Sequence, residues 1–286
     1  LRDETLDIGG AALFALGMTG LLLAMTHGHD WGWTSTPVLL GLAVALAAFP
    51  GFAAWERRCK HPMLDLSLFR IWPFFSGNVV AYLSFLSMFT NAILMPFYLH
   101  GQQGLEPYAT GLVLSSLPLT MAVVAPVSGY LSERVNFATL TSIGLGVMSC
   151  GLLWLSRLEA ASPLWHVYLG QVILGLGVGT FMSPNNNSVL SSAPQDKVGL
   201  VGGVLALVRN VGMVSGIAVA ITVFEGFQGR ALRQGMEASA AFMTGFHAAL
   251  TTGALLAACA GCLSLMRRRL FTSKPPQEHR VVHKDA

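Results

Sequence analysis

An arginine and an asparagine interrupt an otherwise apolar stretch of the chain. Residues 202–221 read GGVLALVRNVGMVSGIAVAI, and Arg209 is the single charged residue among them. A guanidinium near the middle of a bilayer costs at least about 2.5–3.5 kcal/mol unless it faces a polar interior. Arg209 and the adjacent Asn210 are therefore predicted to face other helices or a wet cavity. There Arg209 could donate to helix-end carbonyls, to the amides at 185–187, or to a carboxylate.

Four side chains of an earlier apolar stretch could bind an organic molecule. Tyr82, Phe85 and Phe89 share a face at helical spacing, and the amide of Asn91 is offset from it. Aromatic rings with an amide suit amphipathic, often cationic compounds through stacking and cation–π contact. Packing or lipid contact explains the rings equally well. An interhelical hydrogen bond explains Asn91 and Asn78 equally well.

Groups for proton transfer or metal binding are few. Glu225, at the end of the Arg209 stretch, is the best-placed carboxylate for proton coupling, although a solvated helix-end charge is the commoner role. The C-x-x-C pair at 259–262 lies in an apolar run, and the HGHD run at 27–30 has no third ligand. No metal site and no cofactor are predicted.

The composition indicates an integral membrane protein. Of the 286 residues, 53% are hydrophobic and 11% are charged, and the mean hydropathy is +0.59. Soluble domains carry about 25% charged residues. The net charge of +3 is small, and the basic residues form no stripe with aromatics, which argues against nucleic-acid binding. The sequence does not begin with Met, and we expect it to be part of a longer chain.

Eight windows free of Asp, Glu, Lys and Arg, apart from Arg209, are each long enough for the roughly 20 residues that a spanning helix needs. Strands of a membrane barrel alternate and are about half as long, so an all-α membrane protein with eight spans is predicted. Two G-x-x-x-G spacings, at 175–179 and 212–216, predict close helix contacts. The windows are 8–29, 31–55, 71–105, 107–132, 135–156, 160–195, 198–224 and 238–266.

Lysine and arginine distribute unevenly between the two sides of the predicted membrane. Because such residues concentrate in the cytoplasm, the richer side and both termini are predicted to be cytoplasmic. The poorer side holds Arg157, Arg230 and Arg233. The richer side holds Arg2, Arg57, Arg58, Lys60, Arg70, Arg134, Lys197, Arg267, Arg268, Arg269, Lys274, Arg280 and Lys284.

The pattern divides the chain into four parts. Residues 1–56 hold the first two helices. Residues 57–73 are dense in apolar side chains around Pro62, which favours a linker lying along the cytoplasmic interface over a plain solvated linker. Residues 74–269 hold six helices, and 270–286 are predicted to form a disordered polar tail.

Several motifs resemble the major facilitator superfamily. DWGW (30–33), WERRCKHPMLDLSLFR (55–70) and FFSGNVV (74–80) resemble its fourteen-span drug:proton antiporters of the EmrB/QacA type. GYLSERV (129–135) resembles the second-half copy of the superfamily's G-x-L-a-D-R loop, with Glu133 in place of Asp, followed by Arg134. The residues from GLGVGTFMSPNNN to VGGVLALVRNVG resemble its later spans, in which an arginine commonly stands where Arg209 is.

The resemblance implies two extra linker helices followed by the six-helix C-terminal half of a major facilitator fold. The N-terminal six-helix half, in which such proteins usually carry their membrane-embedded acid, is absent. The implied function is proton-coupled efflux of small amphipathic drugs or metabolites from the bacterial inner membrane, as part of a larger transporter. Its partners are the lipid bilayer, a small-molecule substrate, protons and the missing half.

The same resemblance gives roles to the candidate residues. Tyr82, Phe85, Phe89 and Asn91 are expected on one wall of the substrate cavity. Arg209 and Asn210, with Glu133 and Arg134, are expected to act in gating, Arg209 as a lock at the cytoplasmic gate. Glu225 is expected to couple protons.

Three other functions are alternatives to drug efflux, and the sequence argues against the last of them. A transporter of the same fold could move a metabolite or a siderophore. The chain could be an inactive remnant of a truncated transporter, which an open reading frame for six spans upstream of Leu1 would contradict. A membrane acyl- or glycosyltransferase would need His, Asp or Glu clustered at one membrane face, and the sequence shows only scattered ones.

Overall fold

The computed structural model describes residues 7–28, 31–59, 66–132, 134–194 and 197–271. Within these ranges eight α-helices are long and apolar enough to cross a bilayer, and no strand occurs. The predicted all-α membrane class is confirmed. The helices are α1 (Ile8–His27), α2 (Thr36–Glu56), α3 (Trp72–Gly101), α4 (Pro107–Ser132), α5 (Phe137–Leu155), α6 (Leu164–Leu190), α7 (Val198–Arg233) and α8 (Ala238–Phe271).

Each predicted window holds one helix, and the largest difference is at the end of α7. This helix continues past 224, so Arg230 and Arg233 lie in its last turn. Cations are favourable there because a helix C-terminus carries partial negative charge. With 36 residues α7 is about 54 Å long, so it projects from a hydrocarbon core of about 30 Å. Gly235, with φ of 81°, then reverses the chain toward α8.

The helices α1 and α2 form an antiparallel hairpin that touches the other helices chiefly through α1 and α7. Gly20 and Gly41 allow the close crossing, since a Cβ on Gly20 would lie 2.6 Å from the carbonyl oxygen of Gly41. The Asp7 carboxylate accepts hydrogen bonds from the Gly10 N–H at 2.8 Å and the Trp55 indole at 2.9 Å. These bonds hold the pKa of Asp7 below its ordinary value.

The helices α3–α8 form one lobe of two three-helix units. α3 packs against α7 and α8, and α6 packs against α4 and α5, while contacts of α5 with α8 and of α3 with α6 join the units. Exchanging α3 with α6, α4 with α7 and α5 with α8 converts one set into the other, an internal repeat of the kind found in membrane transport proteins. The exception is α4, which touches α5 little and leans chiefly on α6.

Glycines let α6 lie close to two neighbours at once. A Cβ on Gly175 would lie 2.8 Å from the Leu117 carbonyl oxygen of α4, and one on Gly179 would lie 3.0 Å from a Val124 side chain of α4. A Cβ on Gly177 would lie 2.3 Å from the Met148 backbone nitrogen of α5. The close contact predicted from the G-x-x-x-G spacing at 175–179 is therefore confirmed.

The second G-x-x-x-G spacing brings α7 against α3. A Cβ on Gly212 would lie 3.0 Å from the carbonyl oxygen of Tyr82, and one on Gly216 would lie 2.5 Å from that of Leu86. Such separations require that neither glycine carries a side chain. This predicted contact is confirmed as well.

We call the membrane face at which α3, α5 and α7 begin the first face, and the face at which they end the second face. At the second face the Tyr98 ring stacks on Phe246, with ring centroids 5.0 Å apart. The Tyr98 hydroxyl donates to the Glu159 carbonyl at 2.7 Å, and Gln103 donates to the Tyr98 oxygen and to the Ala160 carbonyl, each at 2.9 Å. The end of α3 is thereby joined to the α5–α6 connection.

At the first face a short 3₁₀ helix, Leu66–Arg70, leads into α3. Leu68 is buried in a cluster with Phe74, Val189 and Val201, which ties this segment to α3, α6 and α7. Residues 60–65 of the predicted interfacial linker and residues 272–286 of the predicted disordered tail lie outside the described residues.

Candidate functional site, an open helix wall and a buried arginine

The three aromatic residues predicted on α3 all lie half-buried on the helix. Tyr82 and Phe89, two helical turns apart, stand on the same stripe of α3. Phe85 is turned toward α7, where a Cβ on Gly212 would lie 2.9 Å from the Phe85 Cβ. Tyr82 and Phe89 thus lie on a partly open stripe of α3, while Phe85 packs against the core cluster of the lobe where α3 meets α7.

Asn91 lies away from that surface. It is 2% exposed, and its amide nitrogen donates to the side-chain oxygen of Gln171 on α6 at 3.1 Å. This is the interhelical hydrogen bond that the sequence offered as the alternative to ligand contact. Asn78 is also buried, and it donates to the Phe74 carbonyl of its own helix at 2.8 Å.

Arg209 and Asn210 are exposed on α7. Arg209 stands about 17 Å along the helix from Val198, which is near mid-depth. It makes no hydrogen bond or ion pair with the residues that the structure describes. Asn185, one of the amides offered as its partner, is bound by a different arginine.

That arginine is Arg267, which directly follows the eighth predicted window, 238–266, and was counted with the cations of the cytoplasmic side. The predicted end of this helix was wrong, because α8 continues to Phe271 and Arg267 is fully buried within it. Its guanidinium donates to the Asn185 side-chain oxygen at 3.1 Å, the Ser188 hydroxyl at 3.0 Å and the Pro73 carbonyl at 3.3 Å. One residue therefore joins α3, α6 and α8 at the first face.

Among the residues that the structure describes, the surroundings of Arg267 are polar but uncharged. Its three hydrogen-bond acceptors are neutral oxygens, and its guanidinium carbon lies 5.3 Å from the centroid of the Phe137 ring of α5. The last turn of α6 adds the partial negative charge of a helix C-terminus. The Arg267 Nε has no hydrogen-bond partner among the described residues. The buried Arg267 guanidinium is therefore stabilised by neutral hydrogen-bond acceptors, by the dipole of α6 and by an aromatic ring.

A sequence signal for this cluster existed. Asn185 and Ser188 stand three residues apart in the α6 window, so they lie on one face of the helix. A polar face near the end of an apolar helix needs a partner. Arg267 was placed just beyond the eighth predicted window, so it was not considered as that partner.

The loop after α4 is described in part. Arg134 is exposed, its guanidinium lies over the Tyr130 ring at 4.8 Å from the centroid, and it hydrogen-bonds the Tyr130 hydroxyl. Glu133 lies outside the described residues. Asn136 caps α5 by accepting from the Ala138 N–H at 2.9 Å.

Glu225 is exposed on α7 toward the second face. It lines a cavity of about 300 Å³ together with residues of α3 and α8. The predicted site residues therefore do not converge: Tyr82 and Phe89 lie on α3, Arg209 and Asn210 are exposed on α7, and Glu225 lies at a cavity toward the second face.

Comparison with known proteins decides the family. The family model described as Major Facilitator Superfamily matches residues 8–217, which is most of the chain. The chain belongs to the Major Facilitator Superfamily. Members of this superfamily are membrane transporters and not enzymes, so the multi-pass fold and the lobe α3–α8 are those of a transport protein.

Several known proteins are similar to this chain over most of its length. The riboflavin transporter RibZ of Clostridioides difficile is 34% identical over 217 residues, covering 76% of this chain and 46% of that protein. The uncharacterized transporter YebQ of Escherichia coli is 31% identical over 262 residues, covering 91% and 54%. The tetracenomycin C resistance and export protein of Streptomyces glaucescens is 32% identical over 216 residues, covering 76% and 40%. The chain spans about half the length of these relatives.

Proposed function

We propose that the chain is the C-terminal portion of a fourteen-span drug:proton antiporter that exports small amphipathic compounds. The observation that carries this proposal is the lobe α3–α8, with its internal repeat, beside a separate α1–α2 hairpin. In this assignment residues 1–56 are the extra helix pair, 57–73 the interfacial linker and 74–269 the C-terminal half. Secondary transporters bind substrate near the bilayer midplane between two lobes, so one lobe supplies one wall.

The wall in this proposal is the surface carrying Tyr82, Phe85 and Phe89. Their partial exposure and helical spacing support contact with an aromatic or cationic compound. The hydrogen bond of Asn91 to Gln171 supports a role in holding α3 to α6 rather than substrate contact.

The experiment is efflux of ethidium from bacteria that express the complete coding sequence. Tyr82→Ala and Phe89→Ala should slow efflux several-fold, while Phe75→Ala, an exposed aromatic at the start of the same helix, should not. Equal effects of all three substitutions at matched protein levels would mean that the aromatic surface is not the substrate wall.

The gating role of Arg209 follows from its exposure near mid-depth. We assign the first face to the cytoplasm, as the distribution of Lys and Arg predicts, and pair Arg209 with a carboxylate of the N-terminal lobe. Such a partner can reach Arg209 only if the guanidinium is exposed in this lobe, as it is. Arg209→Lys keeps the charge but loses the planar fork. We expect loss of efflux from the complete transporter, and normal efflux would contradict the lock.

Proton coupling is assigned to Glu225, the carboxylate exposed on α7 toward the second face. Glu225→Gln in the complete transporter should abolish efflux driven by a pH gradient while leaving the amount of protein in the membrane unchanged. Glu106→Gln removes an exposed carboxylate near the same face and serves as the control. Gradient-driven efflux by Glu225→Gln at the parent rate would transfer the coupling role to another residue.

A second candidate function is export of a planar metabolite. Similarity to a riboflavin transporter favours it, because the rings of Tyr82 and Phe89 can stack on a flavin as well as on a drug. Riboflavin accumulation, measured in the same bacteria that are used for ethidium efflux, separates the two functions. A change in riboflavin content without ethidium efflux would select the metabolite.

A further inference from the structure

The cavity beside Glu225 has the features of a ligand site. It lies where α3, α7 and α8 meet toward the second face, and it has a volume of about 300 Å³. Ligand pockets measure about 300–1,000 Å³, so this one is at the lower limit. It suits a compound with one ring rather than a polycyclic drug.

Aromatic side chains from all three helices line the cavity: Phe97 of α3, Phe224 of α7 and Phe242 of α8. The Phe224 and Phe242 rings meet edge to face, with centroids 5.1 Å apart. Phe97 is 59% exposed. Ring faces attract cations, and more strongly where water is excluded.

The two polar side chains that line the cavity both lie on α7. Glu225 and Gln228, three residues apart, share one face of the helix, and both line the cavity. Among the described residues that line it, Glu225 alone is charged. A carboxylate beside three aromatic rings attracts a cation and disfavours an anion of the same shape.

We propose that the cavity formed by Phe97, Phe224, Phe242, Glu225 and Gln228 binds a small monocation with a single aromatic or branched apolar body. The cation lies toward the Glu225 carboxylate, and the apolar body fills the space between the three rings. The amide of Gln228 accepts from any N–H that the ligand carries.

This inference goes beyond the transport proposal. Binding to the purified chain needs neither a proton gradient nor a second lobe. The cavity also lies further along α3 than the proposed wall, since Phe97 follows Tyr82 by about 22 Å of helix. A compound can therefore bind here whether or not the chain transports it.

The test is equilibrium binding of radiolabelled benzyltrimethylammonium to the full 286-residue chain in lipid nanodiscs. Neopentylbenzene has the same shape without the charge, and phenylacetate is an aromatic anion. We expect saturable binding that neopentylbenzene displaces at least about tenfold more weakly, which corresponds to about 1.4 kcal/mol. Phenylacetate should not compete.

Two substitutions and a control locate the site. Glu225→Gln should raise the dissociation constant about five- to tenfold, and Phe97→Ala about two- to fivefold, as loss of a cation–π contact at an exposed ring predicts. Glu106→Gln should leave it within about twofold. Because Phe97 and Glu225 are exposed, neither substitution removes a core contact, and far-UV circular dichroism verifies the fold.

Three outcomes would overturn the proposal. Equal competition by neopentylbenzene would make the cavity an apolar slot for lipid chains. An unchanged dissociation constant in Glu225→Gln would place the cation elsewhere. Absence of saturable binding would mean that the cavity is not a ligand site. Each of these results leaves the efflux measurements untouched, so failure here is distinguishable from failure of the transport proposal.

Discussion

The buried Arg267 leads to a prediction about whether the lobe loses more stability when Arg267 or its acceptor Asn185 is replaced. Arg267→Met takes away the cation together with its hydrogen bonds and leaves only neutral oxygens behind. Asn185→Leu keeps the cation but removes one of the three oxygens that hold it. We expect the loss of Asn185 to destabilise the lobe more than the loss of Arg267.

The expected losses of stability follow from two opposing contributions, the hydrogen bonds of the guanidinium and the cost of burying its charge. Hydrogen bonds to a charged group contribute about 1.5–3 kcal/mol each, and burying the cation costs several kcal/mol, so for Arg267→Met the terms nearly cancel at about 1 kcal/mol of lost stability. Asn185→Leu leaves one buried donor of the guanidinium without an acceptor, and this penalty of about 1–3 kcal/mol for a neutral group is larger for a charged one, so we expect a loss of about 3 kcal/mol. The double variant should resemble Arg267→Met, so adding Arg267→Met to Asn185→Leu should restore about 2 kcal/mol.

The assay is titration of the purified chain with sodium dodecyl sulfate in mixed micelles, followed by far-UV circular dichroism. The free energy of unfolding is compared for the two single variants and the double variant. Arg58→Met removes an exposed cation at the same face and should stay within about 0.5 kcal/mol of the parent. If Arg267→Met destabilises as much as Asn185→Leu, or if the two effects add, the buried guanidinium is a net source of stability and the reasoning fails.

Two further predictions concern helix contacts. Gly177→Ala places a Cβ 2.3 Å from the Met148 backbone nitrogen, so α5 and α6 must separate. The same titration should show a loss of about 1–3 kcal/mol in the free energy of unfolding. Gly146→Ala, whose Cβ meets open space, should not destabilise the chain. The hydrogen bonds to Asp7 hold its pKa below the ordinary value, so their stabilisation is present above the unfolded-state pKa and is lost as the pH falls through the folded one. The Trp55 indole resonance should report that midpoint in ¹⁵N spectra, and an unshifted midpoint, or one that survives in Asp7→Asn, would disprove the assignment.

The helices were predictable because a charge-free window long enough to span a bilayer has few other structures open to it. The glycine contacts of α6 and α7 were predictable for a similar reason, since small residues one turn apart bring helix backbones together. The end of α7 was not predictable, because Glu225, Arg230 and Arg233 are typical of a solvated connection between helices. The helix continues because no proline or positive-φ glycine stops it before Gly235.

The polar groups were harder to place than the helices. The sequence places Asn91 on a helix and Arg267 at a predicted helix end, but the direction in which each side chain points depends on how the helices are rotated in the lobe. Asn91 turned toward Gln171, and Arg267 turned toward Asn185. Both partners are more than seventy positions away in the chain, and single-sequence periodicity carries no information about such pairs.

The seam between α4 and α6 has a mechanical consequence. Gly175 and Gly179 bring the α6 backbone close to α4, and among the described residues Ser128 adds a hydrogen bond across the seam, donated to the Thr180 carbonyl at 2.8 Å. Val113 of α4 is buried in the core cluster of the lobe. Because α4 touches α5 little, any displacement of α4 from the lobe has to open its contact with α6, so the position of α4 depends on two residues that carry no side chain.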